Sequence, residues 1–471
     1  MSRTRRCVAG LSFAIGAWAG VFACSSDDII YAPGRDSGAD SGHDATLPPD
    51  DAGDAGTDAA DAQTPGDAGD AGDAGPAGWL LFSFSDGTKG DLTAYNLASR
   101  AVEGTPLSYS GFGTTYIDRA PSGAVLWNLE QRIDVVRKLD PRAPWQGGPS
   151  WNVRLDDRPD GGDQYADPVA VVSGPAGKAY VLRFNRNALA VIDPEAQGDA
   201  SAPIKTIDLS RFVEGSDSDR RVDMAGAVYL PDRKRLYVLL GNIDLNKLDP
   251  TRFLLLCTTA KPRIVAIDVE TDTVVSPTGG DAGADAGDAG DAGDAGDAGA
   301  GAFTVDGFNP VFNGLVYDAP RDRFLVLSGG CNEPPTDAGA GAVRRRQVDA
   351  LDPNTGRSET LLDLTAKEYP LSRAQTDATH WALGFGSEAF LWDVTTGALG
   401  PAIPNAPQSF VFDGRQSLVG TATAALPDGG SESIVLSTPI NGGDSTLLGP
   451  IPFTAPGQFI GGLDFWSPPQ P

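Results

Sequence analysis

An all-β fold, a seven-bladed β-propeller of four-stranded antiparallel blades, is what this sequence predicts, and three observations predict it. A turn signature that closes a strand recurs along the chain: Tyr95-Asn96-Leu97-Ala98, Leu139-Asp140-Pro141-Arg142, Ile192-Asp193-Pro194-Glu195, Ile267-Asp268-Val269-Glu270, Leu351-Asp352-Pro353-Asn354, Trp392-Asp393-Val394-Thr395 and a worn copy at Ser437-Thr438-Pro439-Ile440. Successive copies lie 44, 53, 75, 84, 41 and 45 residues apart. A period of about 40 to 50 residues holding four short strands marks a propeller. The third observation is that each chain end supplies what the other lacks. Phe459–Trp466 reads as an inner strand with nothing after it, whereas Trp79–Phe84 and Asp91–Asn96 have no inner strand before them. The C-terminal strand is therefore expected to join the N-terminal blade, closing the ring and removing exposed sheet edges.

The clearest unit is Lys178–Glu195, KAYVLRFNRNALAVIDPE. Its β-branched and aromatic residues suit a pleated, buried surface. Asn185–Asn187 interrupt the run as a turn, and Asp193-Pro194 opens the next, where Asp accepts backbone N–H bonds and Pro presets φ. The other inner strands and their followers are read in order. Phe112–Asp118 precedes Ala124–Leu129, and Pro168–Val172 precedes Lys178–Leu182. Ala225–Leu230 leads through Pro231–Lys234 to Arg235–Leu240, and Gly314–Tyr317 leads to Arg323–Leu327. In the sixth unit Thr376–His380 is read as the strand before Trp381–Phe385, and in the seventh Gln408–Phe412 precedes Gln416–Thr421. Trp127, Trp381, Trp392 and Trp466 fall on or beside these strands and are expected to pack between blades.

The chain begins differently. Arg3, Arg5 and Arg6 precede an apolar run from Cys7 to Ala23, the pattern of a secretory signal over residues 1–23. Val21-Phe22-Ala23-Cys24 resembles a bacterial lipobox, which implies lipidation of Cys24 as the first mature residue and attachment to a membrane; Ser25 after it implies sorting to the outer membrane. Residues 24–78 are dominated by Asp-Ala-Gly triplets with interspersed Pro and no apolar periodicity, the composition of a disordered tether that like charges extend. A second such tract, 279–301, is read as a disordered insertion in the connection between the fourth and fifth blades. The triplets lack the alternating ligands and terminal Glu of an EF-hand. The propeller itself spans 79–471.

The formal net charge is −27, and thirteen Asp in 25–78 and six in 279–301 carry much of it. The remainder is still acidic, which argues against a nucleic-acid partner. The basic run Arg344-Arg345-Arg346 is read as a loop edge. Of the four cysteines, Cys257 and Cys331 remain once Cys7 and Cys24 are assigned. An even pair in an oxidising compartment predicts a disulfide, two free buried thiols being the other reading.

Ala179-Tyr180-Val181 with Asn187–Asp193, and Leu236-Tyr237-Val238 with Arg263–Asp268 and Thr271–Val274, resemble the YVTN-type, lactonase-like propeller repeat. That resemblance implies a seven-bladed lipoprotein of a Gram-negative cell envelope. The family is functionally mixed, and the resemblance transfers no single catalytic residue.

In such a fold the second-to-third-strand loops share a face with the connections between blades. The loops Gly241–Pro262, with Cys257, and Ser328–Arg346, with Cys331, are expected on that face together with the insertion. Asp167, Asp223, Asn309, Asp377 and His380 are read at or near inner-strand starts. Oxygen ligands converging there suit Ca²⁺, as in sugar-lactonase-like propellers, with His380 as a general base; polar residues are also ordinary at strand starts. One His outside the tether excludes a multi-His zinc site. No G-x-S-x-G elbow and no haem-type C-x-x-C-H motif occurs. The leading expectation is a lipid-anchored binding or scaffold module with a protein or glycan ligand. The alternative is a Ca-dependent lactonase-like hydrolase, and a redox propeller ranks third.

Overall fold

The computed structural model describes residues 78–466, apart from 121–122, 141–142, 155–164, 176, 197–201, 250–253, 279–300, 334–342, 369, 386–387, 426–430 and 456–457. The expected signal segment, Cys24, the expected tether up to residue 77 and residues 279–300 of the second Asp/Ala/Gly tract lie outside the described residues.

Seven antiparallel sheets follow one another as the blades of a propeller. Blade 1 is built from both chain ends. Phe459–Trp466 is its innermost strand, followed outwards by Trp79–Ser85, Lys89–Asn96 and Ala101–Ser110. The closing strand runs antiparallel to Trp79–Ser85 along its whole length, from Trp79 opposite Trp466 to Ser85 opposite Phe459. The ring closes as the complementary ends predicted. Blades 2 and 3 span 113–152 and 168–208, blade 4 spans 224–304, and blades 5, 6 and 7 span 310–363, 370–403 and 409–450.

The repeated Asp or Asn works as its chemistry suggests. The side chains of Asn96, Asp193, Asp268, Asp352 and Asp393 each accept the N–H of the residue two places on, at 2.7 to 3.0 Å, turning the chain from third to fourth strand. Between the turns, apolar faces pack blade against blade. Trp127 and Trp151 of blade 2 are buried with Val171, Val181 and Ala190 of blade 3. Trp381 and Trp392 of blade 6 are buried with Val311, Leu325 and Leu327 of blade 5. Full burial of each such side chain contributes about 1.5–3 kcal/mol.

Two expectations are corrected. The inner strand of blade 6 is Pro370–Gln375, and Thr376–His380 forms the turn into His380–Phe385. Asp377 causes this: its carboxylate accepts the N–H groups of Thr379 at 2.6 Å and His380 at 2.8 Å, a local competitor to strand pairing. The Asp/Ala/Gly insertion, in turn, does not lie between blades 4 and 5. Thr273–Val275 pairs with Ala266–Asp268, and Ala302–Thr304 continues the same ladder along Arg263–Val265. The two short strands are halves of one outermost strand, so the insertion leaves from the outer edge of blade 4. Loops tolerate long insertions at small entropic cost, and here a strand edge does so as well, because the flanking halves keep their register.

Candidate functional site

Each blade is an antiparallel meander, so first-to-second and third-to-fourth turns lie at one end of its strands. Second-to-third loops and the connections between blades lie at the other, the loop face. Three connections reach this face by the same device. Asp167, Asp223 and Asn309 stand just before inner strands with φ of 57°, 48° and 50°. Their carbonyls accept the N–H of Phe184, Gly241 and Gly329 at 2.8 to 2.9 Å, at the ends of the neighbouring second strands. Asp and Asn tolerate this left-handed conformation better than most residues, which accounts for these residue types at this place.

Three of the five axial candidates are thus at equivalent positions. The other two are elsewhere: Asp377 and His380 occupy a first-to-second turn, at the opposite end of the blades. There His380 Nδ1 meets Asp377 Oδ2 at 3.0 Å. The carboxyl of Asp377 is held down at about 2, because hydrogen bonds from Thr379 and His380 outweigh its desolvation. The set Asp167, Asp223, Asn309, Asp377 and His380 is therefore not brought together.

A different acidic group is. Asp217 and Asp219, in the connection between blades 3 and 4, meet Asp244, in the second-to-third loop of blade 4. One oxygen of each lies within 4.8 Å of the other two. Asp217 and Asp244 are buried. Backbone donors hold the carboxylates in place. Asp217 Oδ1 accepts the N–H of Asp219 at 3.2 Å, and Asp219 Oδ2 accepts that of Leu245 at 3.0 Å. Both oxygens of Asp244 accept from the Ser218 hydroxyl, at 2.8 and 2.9 Å. Burial, and then repulsion from Asp217, pushes Asp219 up to about 7. Sequence reading passed over this group; Asp217-x-Asp219 was its visible half.

On the same loop face the predicted disulfide is present. Cys257 and Cys331 are bonded, with Cα atoms 4.9 Å apart, joining the second-to-third loops of blades 4 and 5. Each loop carries a small hairpin, Leu248–Asp249 with Leu254–Leu255 and Cys331–Asn332 with Val343–Arg344. The Cys257 N–H adds a bond to Asn332 O at 2.8 Å. Next to this brace a basic and aromatic group gathers. Lys261 Nζ sits 4.0 Å from the centre of the Phe308 ring and Arg345 Cζ 5.4 Å from it. Both side chains also donate to Asp306 O, at 3.2 and 2.9 Å. Within the basic run, Arg345 and Arg344 are exposed, while Arg346 is buried on Gly329 O and Lys367 O.

No family model and no curated protein matches this chain. Its architecture has counterparts among solved structures. The periplasmic gluconolactonase PpgL of Pseudomonas aeruginosa is 13% identical, with 83% of this chain and 99% of that one covered and a TM-score of 0.47. AztD of Citrobacter koseri is 10% identical, with 83% and 98% covered and a TM-score of 0.39. A luciferin-regenerating enzyme is 10% identical, with 69% and 91% covered and a TM-score of 0.40. The seven blades follow from the strand pairing and do not depend on these likenesses.

Asp167 yields a pH prediction. Its carboxyl is pushed up to about 7 by burial and then by Asp134, against the pull of Arg132 and Arg221. A carboxyl raised on folding keeps its proton longer in the folded chain, so its cost appears as pH rises from about 4 to about 7. Asp167→Asn keeps the left-handed preference and removes the charge. The variant is expected to gain on the order of 3 kcal/mol at about pH 8 and almost nothing at about pH 4. Thermal melts at the two pH values check this; equal shifts at both would refute it.

Proposed function

We propose that the chain is a lipid-anchored binding module of the cell envelope, whose ligand face is the loop face of blades 3 to 5. The observation that carries this reading is the disulfide between the second-to-third loops of two neighbouring blades. Loops hold binding residues best when a rigid frame positions them, and this brace reduces the ordering cost that binding would otherwise meet. The braced face carries opposite charges side by side: the Asp217, Asp219 and Asp244 carboxylates at the blade 3–4 junction, and Lys261 and Arg345 around Phe308 at the blade 4–5 junction. The ligand it suits is an envelope or extracellular protein or glycan that presents carboxylates to the basic group. Cys24 supplies the anchor, residues 25–78 the reach, and the outer membrane is the proposed address.

The test is binding of acidic and neutral polysaccharides and of envelope proteins to the full chain, with Lys261→Glu/Arg345→Glu as the comparison. The reading expects affinity for an acidic ligand to fall tenfold or more in the variant. In the same preparations, membrane fractions should retain the wild type and not Cys24→Ala. Lactone turnover by the wild type that survives the Lys261/Arg345 change would replace this reading with the hydrolase one.

A further inference from the structure

Three carboxyl groups, from two separate stretches of chain, converge where the blade 3–4 connection meets the second-to-third loop of blade 4, and a fourth is held against that loop. Asp217, Asp219 and Asp244 have already been placed there. The fourth is Asp223, whose side chain is fully buried. Its Oδ2 accepts the N–H of Ile243 at 2.7 Å, beside Asp244. Among the described residues its Oδ1 is buried without a hydrogen-bond partner. A buried carboxylate oxygen left without a donor is costly, and native proteins rarely keep one without a ligand or a role. Through its Oδ2 hydrogen bond the Asp223 carboxyl is held against Ile243, the residue that precedes Asp244.

We propose that Asp217, Asp219, Asp223 and Asp244 form a binding site for a divalent cation of the calcium class. The donor set is oxygen only and strongly anionic, which suits a hard cation and excludes the sulfur- and imidazole-preferring metals. Each backbone N–H or hydroxyl now bonded to these carboxylates uses one lone pair of an oxygen and leaves another for a metal. A turn over Gly215–Asp219, with Asp217 N–H bonded to Glu214 O at 3.0 Å, brings Asp217 and Asp219 together. Asp244 and Asp223 then close the set from the neighbouring loop and strand start.

The ion joins two segments that backbone bonds already bring together, Gly241 N–H to Asp223 O at 2.8 Å and Asn242 N–H to Val222 O at 3.1 Å. One is the connection entering blade 4. The other is the Gly241–Pro262 loop, whose far side carries Cys257. The metal and the disulfide thus pin the same loop at two places. The site does not depend on the proposed ligand. It also differs from the axial set expected from sequence, sharing only Asp223 with it.

The test is a calorimetric titration of the full chain, stripped with a chelator, with calcium chloride, alongside melts with and without calcium. The Asp-rich tether and insertion offer weak, unspecific sites, so the decisive comparison is with Asp219→Asn/Asp244→Asn, which leaves those tracts intact. The wild type is expected to show one saturable site with Kd of about 10 µM to 1 mM. At calcium a hundredfold above Kd its melting temperature should rise by roughly 3–5 °C. In the double variant the affinity should fall tenfold or more and the shift should vanish. Asp217→Asn alone should weaken binding in the same direction, which covers a double variant that fails to fold. A wild type without a saturable site, or variants that keep its affinity and its shift, would overturn the proposal.

Discussion

A chain shortened by Phe459–Pro471 is expected to lose its cooperative melt and to aggregate. The truncation removes the innermost strand of blade 1 and leaves Trp79–Ser85 with an open edge. It also removes contacts to the next blade: Asp464 accepts the Thr115 hydroxyl at 2.6 Å, and Phe459 stacks on Phe112 with ring centres 5.9 Å apart. Phe465 leaves a buried cluster that includes Leu80, Phe82, Val419 and Val435, which binds blade 1 to blade 7. The loss is expected to match the whole net stability of an ordinary domain, about 5–15 kcal/mol. Circular dichroism and light scattering on heating measure it. A truncated chain that melts at the wild-type temperature would show that the ring does not depend on its closing strand.

The second large effect is expected from Cys257→Ser/Cys331→Ser. The bond spans 74 residues of sequence. Closing a loop of that length lowers the entropy of the unfolded chain by an amount worth roughly 4 kcal/mol, an upper figure because native strain subtracts from it. Cys331 is buried, and its strand pairs with Val343–Arg344, so the lost order is expected to spread to both hairpins and to the Lys261, Phe308 and Arg345 group. Scanning calorimetry should show a lower melting temperature. Hydrogen exchange should show loss of protection concentrated at Leu254–Cys257 and Cys331–Arg344. Equal melting of the two forms would mean that the brace orders nothing.

Most of the fold was legible because each blade repeats its chemistry locally. An Asp or Asn opening the third-to-fourth turn makes the same hydrogen bond wherever it occurs, and the two incomplete ends had one way to be completed. The disulfide was legible from the count of cysteines. The misreadings arose where a local signal was weak or competed with another. Pro370–Gln375, with Ser, Arg and Gln among its residues, lacks the apolar run of the other inner strands, and the Asp377 turn beside it took its place. Val274-Val275 and Phe303 look too short to be a strand until both are seen on one ladder. The candidate site was less legible for a geometric reason. Asp217 and Asp219 lie far from Asp244 in sequence, and the meeting of a blade connection with a second-to-third loop joins them. Asp167, Asp223 and Asn309 drew attention through a shared position, whose left-handed backbone explains their residue types. Of the three, Asp223 alone keeps a buried oxygen without a hydrogen-bond partner among the described residues.

The proposed ligand surface is the loop face of blades 3 to 5. Site-specific photo-crosslinking in intact envelopes tests it most directly, with the reactive residue placed at exposed Arg345 on the loop face or at exposed Ala378 on the opposite face. A discrete adduct is expected from position 345 and none from 378. Adducts from 378 alone, or equal labelling from both, would contradict it.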